Sequence, residues 1–100
     1  MAKPFIIFHN RIQHDLNAVL EYYLDESGPK LADRFYSAFE TAAQKALKNP
    51  KHHHFFHKNL RRSPILRFPY HFLYRETSHG IRILVLRHDK RKPNYGLQRK

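Results

Sequence analysis

The first part of the chain alternates apolar and polar residues with the period of a helix. Apolar positions recur every three or four residues from residue 12, which predicts an amphipathic helix over residues 12–26. Asn10 is the predicted N-cap of this helix, with Gln13 three residues on as its capping-box partner. The predicted buried face consists of Ile12, Leu16, Val19, Leu20, Tyr23 and Leu24, and the polar face includes Asp15, Asn17 and Glu21.

A second helical pattern follows after a short break. Ser27-Gly28-Pro29 predicts the break, because glycine suits the residue after a helix and proline suits the first turn of the next one. Asn49-Pro50 ends the second pattern. The sequence therefore predicts a helical hairpin whose second helix spans residues 29–48. Its predicted buried face consists of Leu31, Phe35, Ala38, Phe39, Ala42 and Ala46.

After Pro50 the apolar residues are mainly β-branched and aromatic, which favours strands. The polar turn 76–80 predicts a hairpin between the last two of these strands. A strand candidate precedes them over residues 61–68, and Pro64 within it favours an edge position or regular pairing that starts after it. A short apolar run near the N-terminus predicts a first strand. The predicted strands are 5–8, 65–68, 70–75 and 81–87.

The element order predicts the fold class. One strand, two helices and three strands are typical of an α+β fold, with the helical hairpin on one face of a small, mostly antiparallel sheet. The length of 100 residues predicts one domain spanning residues 1–100. No apolar run approaches the roughly 18 residues of a membrane span. The chain also lacks cysteine, so we expect a cytoplasmic protein without disulfides.

Positive charge is concentrated in the second part of the chain. The net charge is +11, and fifteen of the nineteen Lys and Arg residues follow residue 40. Only Glu76 and Asp89 provide acidic groups in that part. Such a charge distribution attracts polyanions, either a nucleic acid or an acidic protein. The alternative is a solvated basic surface that serves only solubility.

A histidine-rich segment, residues 51–58, joins the second helix to the strands. Its four histidines have the ring nitrogens that transition metals bind. Adjacent histidines in an extended segment point in opposite directions, however, so they do not form a ready metal site. We therefore expect an exposed basic loop, anchored by Phe55 or Phe56, and no metal. The four histidines are His52, His53, His54 and His57.

The last two predicted strands carry groups suited to phosphate chemistry. Alternation assigns Tyr70, Phe72 and Tyr74 to one face, and His71 and Arg75 to an open groove on the other. The two acidic residues are too few for two-metal cleavage, whereas metal-free RNA cleavage needs a proton acceptor, a proton donor and a cation. For each candidate residue named below, the alternative is a purely structural role. The candidate catalytic residues are His71, His88, Arg91 and Tyr95, and the candidate nucleic-acid contacts include Arg61, Arg75, Arg87 and Lys90.

Two segments, residues 68–75 and 83–97, carry a family resemblance. Together with the element order and the basic second part, they resemble the RelE/ParE superfamily. This resemblance implies the toxin of a bacterial type II toxin–antitoxin or plasmid stabilisation module, silenced by an acidic, partly disordered antitoxin. It also implies two classes of target. RelE-like members cut mRNA on the ribosome without a metal, and ParE-like members inhibit DNA gyrase and lack the ribonuclease residues.

The resemblance can be carried over to individual positions. His71 stands where RelE-like toxins usually have arginine, while His88 and Tyr95 match relatives with His and Tyr at the end of the last strand. Arg91 takes the phosphate-stabilising role. Lys51 and Lys58 are further candidate nucleic-acid contacts, as counterparts of the RelE-like lysines near the second helix. We predict a ribosome-dependent mRNA endonuclease without cofactor, small-molecule substrate or membrane partner. The alternatives are a gyrase inhibitor and a non-toxic nucleic-acid-binding module.

Overall fold

A computed structural model describes residues 2–100 of the chain. Two helices lie on one face of a mostly antiparallel sheet, as the sequence predicts, and the sheet has five strands rather than the predicted four. The strand order in the sheet is β1-β5-β4-β3-β2, with β1 parallel to β5 and the other pairs antiparallel. No helix in this part of the chain has the length and hydropathy needed to cross a membrane. The elements are β1 Phe5–Phe8, α1 Ile12–Ser27, α2 Pro29–Lys48, β2 Phe55–His57, β3 Leu60–Pro64, β4 Tyr70–Thr77 and β5 Gly80–His88.

The helical hairpin follows the predicted boundaries closely. Gly28 joins the two helices with φ of +86°, and Pro29 occupies the first turn of α2. The helices bury aromatic and aliphatic side chains against the sheet, including Phe35 and Phe39 of α2 and Phe72 and Tyr74 of β4. The rings of Phe39 and Phe72 meet edge to face with their centroids 5.8 Å apart, a favourable aromatic geometry.

The predicted cap of α1 is wrong. The amide of Arg11 donates to Nδ1 of His9 at 3.1 Å, and the amide of Ile12 donates to the carbonyl of His9 at 3.0 Å. Asn10 therefore lies in a turn before the helix, and α1 begins without a side-chain capping bond. The side chain of Gln13 instead donates to the Asn17 side chain at 2.8 Å.

The predicted strand over residues 65–68 is also wrong. Strand β3 ends at Pro64, which pairs with His71 of β4. Residues 65–68 form a tight turn in which the amide of Ile65 donates to the carbonyl of Tyr70 at 3.0 Å. Arg67 has a φ of +72° within this turn. Both expectations for Pro64 are wrong, because β3 lies between β4 and β2 and its regular pairing precedes Pro64 rather than following it.

The histidine-rich segment contains a strand that the sequence analysis missed. β2 pairs with β3 at the edge of the sheet, so only part of the segment is a connector. Phe55 and Phe56 remain exposed and do not anchor the loop in the core. The guanidinium of Arg61 instead lies over the Phe55 ring, 3.9 Å from its centroid. Within residues 2–100, no three His, Cys, Asp or Glu side chains are grouped in a way that could hold a metal ion.

The C-terminal tail, residues 89–100, covers the sheet face opposite the helices. Tyr95 and Leu97 of the tail pack on a second apolar cluster formed by strand residues. Gly96 lies between them with φ of +79°, in close contact with Val85. The strand residues of this cluster are Leu60, Leu73, Leu84 and Val85.

Gly96→Ala should therefore loosen the tail. A Cβ atom at Gly96 would lie 2.6 Å from Cγ2 of Val85, whereas a Cβ at Gly28 would meet nothing within 4 Å. Gly28→Ala should cost roughly 1 to 3 kcal/mol, because it adds only backbone strain at a positive φ with an extended ψ. Gly96→Ala should cost about 1 to 3 kcal/mol more, because the overpacking against Val85 is added. Urea unfolding of both variants measures the difference, and equal costs would contradict this account of the tail.

Candidate functional site

A β-bulge at Leu84 determines which way the end of β5 presents its side chains. Leu73 of β4 pairs with Val85 and Tyr74 pairs with Ile83, so Leu84 is an extra residue in β5. The extra residue reverses the alternation of the following positions. Arg87 consequently lies on the tail side of the sheet, and His88 lies on the helix side.

On the tail side, His71, Asp89 and Arg87 form a hydrogen-bonded chain. Nε of Arg87 donates to Nε2 of His71 at 2.9 Å, and Nδ1 of His71 lies 2.8 Å from Oδ1 of Asp89. Arginine can only donate, so Nε2 of His71 accepts and Nδ1 carries the proton that is donated to Asp89. Both ring nitrogens of His71 are therefore engaged within the protein.

The surroundings of His71 keep its ring neutral. The side chain is only 1% exposed, and this burial lowers its pKa below the ordinary value. The hydrogen bond to Asp89 acts in the opposite direction, while the charges of Arg62 and Arg87 lower the pKa further. The expectation that His71 lines an open groove is wrong, because alternation alone does not reveal that the tail covers this face. Arg75, the other residue expected in that groove, is partly exposed and lies across from Arg82 of β5.

Arg87 connects this chain to the tail. Its Nη1 donates to the carbonyls of Lys92, Pro93 and Tyr95 at 3.2, 2.8 and 3.0 Å. Burial and the nearby charge of Arg62 lower the pKa of Arg87, but a guanidinium stays protonated in proteins. Arg87, a candidate nucleic-acid contact, is thus 5% exposed and holds the turn of the tail in place.

Asp15 of α1 is a second connection to the tail. The sequence analysis assigned it to the polar face of the helix, but its side chain is buried. Its carboxylate is buried and accepts a bond from the amide of Leu86 at 3.1 Å and from the hydroxyl of Tyr95 at 3.2 Å. Arg99 is the third partner of this carboxylate, and its Nη1 donates to Oδ2 of Asp15 at 2.6 Å. Burial disfavours the charge of Arg99, but the bond to Asp15 and its charge outweigh this effect and raise the pKa of Arg99. Asp15 follows the buried Ile12 by three residues, but this spacing alone does not show that its side chain is buried.

On the helix side, three predicted catalytic residues share one cleft between α1 and the end of β5. This strand-end cleft has a volume of about 320 Å³ and is lined by His88, Arg91 and Tyr95 together with Tyr22 and Tyr70. The rings of His88 and Tyr70 meet edge to face, with centroids 4.9 Å apart. Nδ1 of His88 accepts a bond from the amide of Lys90 at 3.0 Å.

Two further groups in the strand-end cleft limit its chemistry. The guanidinium of Arg91 lies over the ring of Tyr95, 4.0 Å from its centroid. The hydroxyl of Tyr95 is engaged, because it donates to Asp15 and lies 3.2 Å from Nη2 of Arg99. The cleft therefore combines the imidazoles of His14 and His88 and the guanidinium of Arg91 with aromatic rings. His71 is not among its lining residues and lies on the other side of the sheet.

The other candidate nucleic-acid contacts do not form one surface. Lys51 and Arg61 both pair with Glu76, with N–O distances of 3.7 and 3.2 Å. Lys58 is exposed in the tight turn between β2 and β3, with φ of +48°. Lys90 is exposed at the start of the tail. These cations are distributed between the β2 edge and the tail.

Comparisons with known proteins agree with this architecture. A family described as "ParE toxin of type II toxin-antitoxin system, parDE" matches residues 6–93. The solved structure titled "Chromosomal ParDE TA system from P. aeruginosa" superposes with a TM-score of 0.75 and 16% identity, covering 85% of this chain and 95% of that chain. At this identity the likeness shows the fold alone. No curated protein matches the chain.

Proposed function

The chain belongs to the ParE toxin family of type II toxin–antitoxin systems, and from this premise we propose that it is a non-enzymatic inhibitor of DNA gyrase. It would act as one domain over residues 1–100. A cognate antitoxin is the partner that membership of this family implies. We propose that this antitoxin is acidic, because an acidic segment complements the basic second part of the chain.

The engagement of His71 is the observation that carries the proposal. General acid–base cleavage of RNA needs two proton-transfer groups within reach of one phosphate. Both ring nitrogens of His71 are bonded within the protein, and the hydroxyl of Tyr95 is bonded to Asp15. Of the predicted proton-transfer groups, this leaves His88 alone; the strand-end cleft also contains the exposed His14 of α1, which was not among them. Inhibition by binding a protein target requires no such pair.

The ribonuclease remains a second candidate because of two residues. His88 and Arg91 both line the strand-end cleft, where an imidazole and a guanidinium would meet the same phosphate. For this candidate, His88→Ala or Arg91→Ala should reduce mRNA cleavage roughly 100- to 10,000-fold, the usual contribution of an acid–base group.

Parallel assays with the purified toxin separate the two candidates. We expect the toxin to block supercoiling by gyrase while mRNA on purified ribosomes stays intact. Preincubation with the cognate antitoxin should restore supercoiling, which controls for contaminating activities. Intact supercoiling together with mRNA cleavage that His88→Ala abolishes would replace the gyrase proposal with the ribonuclease.

A further inference from the structure

A second cleft, which we call the tail cleft, lies between the start of α1 and the C-terminal tail. Its volume is about 920 Å³, and most of its lining residues carry polar or charged groups. None of the lining residues is acidic, within the part of the chain that the structure describes. The carboxylate of Asp15 nearby is already bonded to Arg99. The cationic and imidazole side chains of the lining are His9, Arg11, Lys90, Arg91, Lys92 and Arg99.

The tail cleft is held by a rigid backbone rather than by a loose terminus. Three carbonyls of the tail accept bonds from the buried Arg87. Local turns add bonds from the amide of Tyr95 to the carbonyl of Lys92 at 3.0 Å and from the amide of Arg99 to the carbonyl of Gly96 at 3.2 Å. The exposed cations therefore project from a fixed frame, which lowers the entropic cost of binding a ligand.

The electrostatic environment of the tail cleft is positive. Burial lowers the pKa of His9, and the charges of Arg99, Arg82 and Arg11 lower it further. The start of α1 adds to this potential, because its first turn has no side-chain cap and its dipole is positive there. An anionic ligand would relieve this repulsion.

We propose that the tail cleft binds the phosphate backbone of duplex DNA. The inference rests on the proposed function, because duplex DNA is the substrate of gyrase, and a toxin bound to gyrase would contact that DNA directly. Phosphate contacts need cations and hydrogen-bond donors, which fits a lining rich in Lys and Arg and free of acidic residues, within the described part of the chain.

The aromatic group of the cleft favours duplex over single-stranded nucleic acid. Proteins that bind single strands stack the bases on open aromatic rings. In the tail cleft, the guanidiniums of Arg91 and Arg99 lie over the Tyr95 ring, 4.0 and 5.3 Å from its centroid. The ring therefore offers little free surface to a base, whereas a duplex presents only its backbone.

Fluorescence anisotropy with a labelled 20-base-pair duplex, titrated at several salt concentrations, tests the proposal. The test variant is Arg11→Gln/Lys90→Gln/Lys92→Gln, in which all three changed side chains are exposed in the tail cleft. The matched control is Lys30→Gln/Arg34→Gln/Lys45→Gln, which removes the same charge from exposed positions of α2. Each lost phosphate contact should lower the slope of log affinity against log salt by about 0.9.

In the cleft variant, we expect the slope of log affinity against log salt to be smaller than in the wild type by about 2 to 3. The control variant should keep most of the wild-type slope. Equal losses in the two variants would overturn the proposal, because binding would then depend only on net charge. Tighter binding of a single-stranded RNA of equal length would overturn the commitment to duplex DNA.

The anisotropy assay contains no gyrase, so it tests DNA binding by the tail cleft independently of the proposed function. Comparing its result with the supercoiling assay separates the two proposals. Site-dependent DNA binding without any effect on supercoiling would overturn the gyrase proposal and support the tail cleft. Inhibition of supercoiling by a toxin that does not bind the duplex would overturn the tail cleft alone.

Discussion

Asp15→Ala should destabilise the protein by roughly 3 to 5 kcal/mol, the usual cost of removing one partner from a buried ion pair. The side chain of Asp15 is 2% exposed and that of Arg99 is 9% exposed, so water cannot replace the lost partner. The variant also leaves the amide of Leu86 and the hydroxyl of Tyr95 without their acceptor. Because small domains are stable by only about 5 to 15 kcal/mol, much of the stability should be lost.

Urea unfolding measures this effect, and two further variants define its cause. Glu21→Ala removes the same charge from the exposed face of α1 and should change the unfolding free energy by less than about 0.5 kcal/mol. Asp15→Leu/Arg99→Met replaces the whole pair by apolar groups and should recover part of the loss. A cost below about 1 kcal/mol for Asp15→Ala would contradict the role of this ion pair.

The Asp15 network also shows where sequence reasoning reaches its limit. Helical periodicity was sufficient to predict α1 and α2, because their apolar positions follow one period over many residues. Asp15 lies at the border of the apolar stripe, where the period alone does not separate buried from exposed positions. Its partners Leu86, Tyr95 and Arg99 are more than 70 residues away, and only the fold brings them together.

The strands were harder to predict because the sheet is apolar on both faces. The run Ile83-Leu84-Val85-Leu86 contains no polar residue whose position would reveal the bulge. The sequence therefore could not predict which side chains at the end of β5 face the helices and which face the tail. His88, Arg91 and Tyr95 nevertheless share a cleft, because they follow the bulge closely along the chain.

The position of His71 illustrates the same limit. Alternation correctly separated it from the helix-facing Phe72 and Tyr74. The cover on its side comes from the tail, where Tyr95 and Leu97 are the only apolar residues packed on the second cluster, within the described part of the chain. Two apolar residues among many charged ones do not predict a packed segment, so His71 appeared open to solvent.

Lowering the pH from 7 to 5.5 should destabilise the protein through His71. Its pKa is lowered in the folded state, so the unfolded chain binds the proton more readily. The contribution of His71 is fully present above the ordinary pKa of about 6.5 and is lost as the pH falls below it, by up to about 1.4 kcal/mol per pH unit. We therefore expect a smaller free energy of unfolding at pH 5.5 than at pH 7. A proton on Nε2 would also face the Nε–H group of Arg87, and the bond that steadies the tail would be lost.

His71→Asn isolates this contribution, because asparagine can still donate to Asp89 but does not titrate. The variant should be less stable than the wild type at pH 7, since Nε of Arg87 loses its acceptor, and should lose less stability between pH 7 and 5.5. His54→Gln removes an exposed histidine and should keep the pH dependence of the wild type. Urea unfolding at both pH values measures these differences, and hydrogen exchange of the tail amides reports whether Arg87 still holds the tail. If His71→Asn and the wild type lose the same stability between the two pH values, another group is responsible and the neutral His71 has no part in the acid sensitivity.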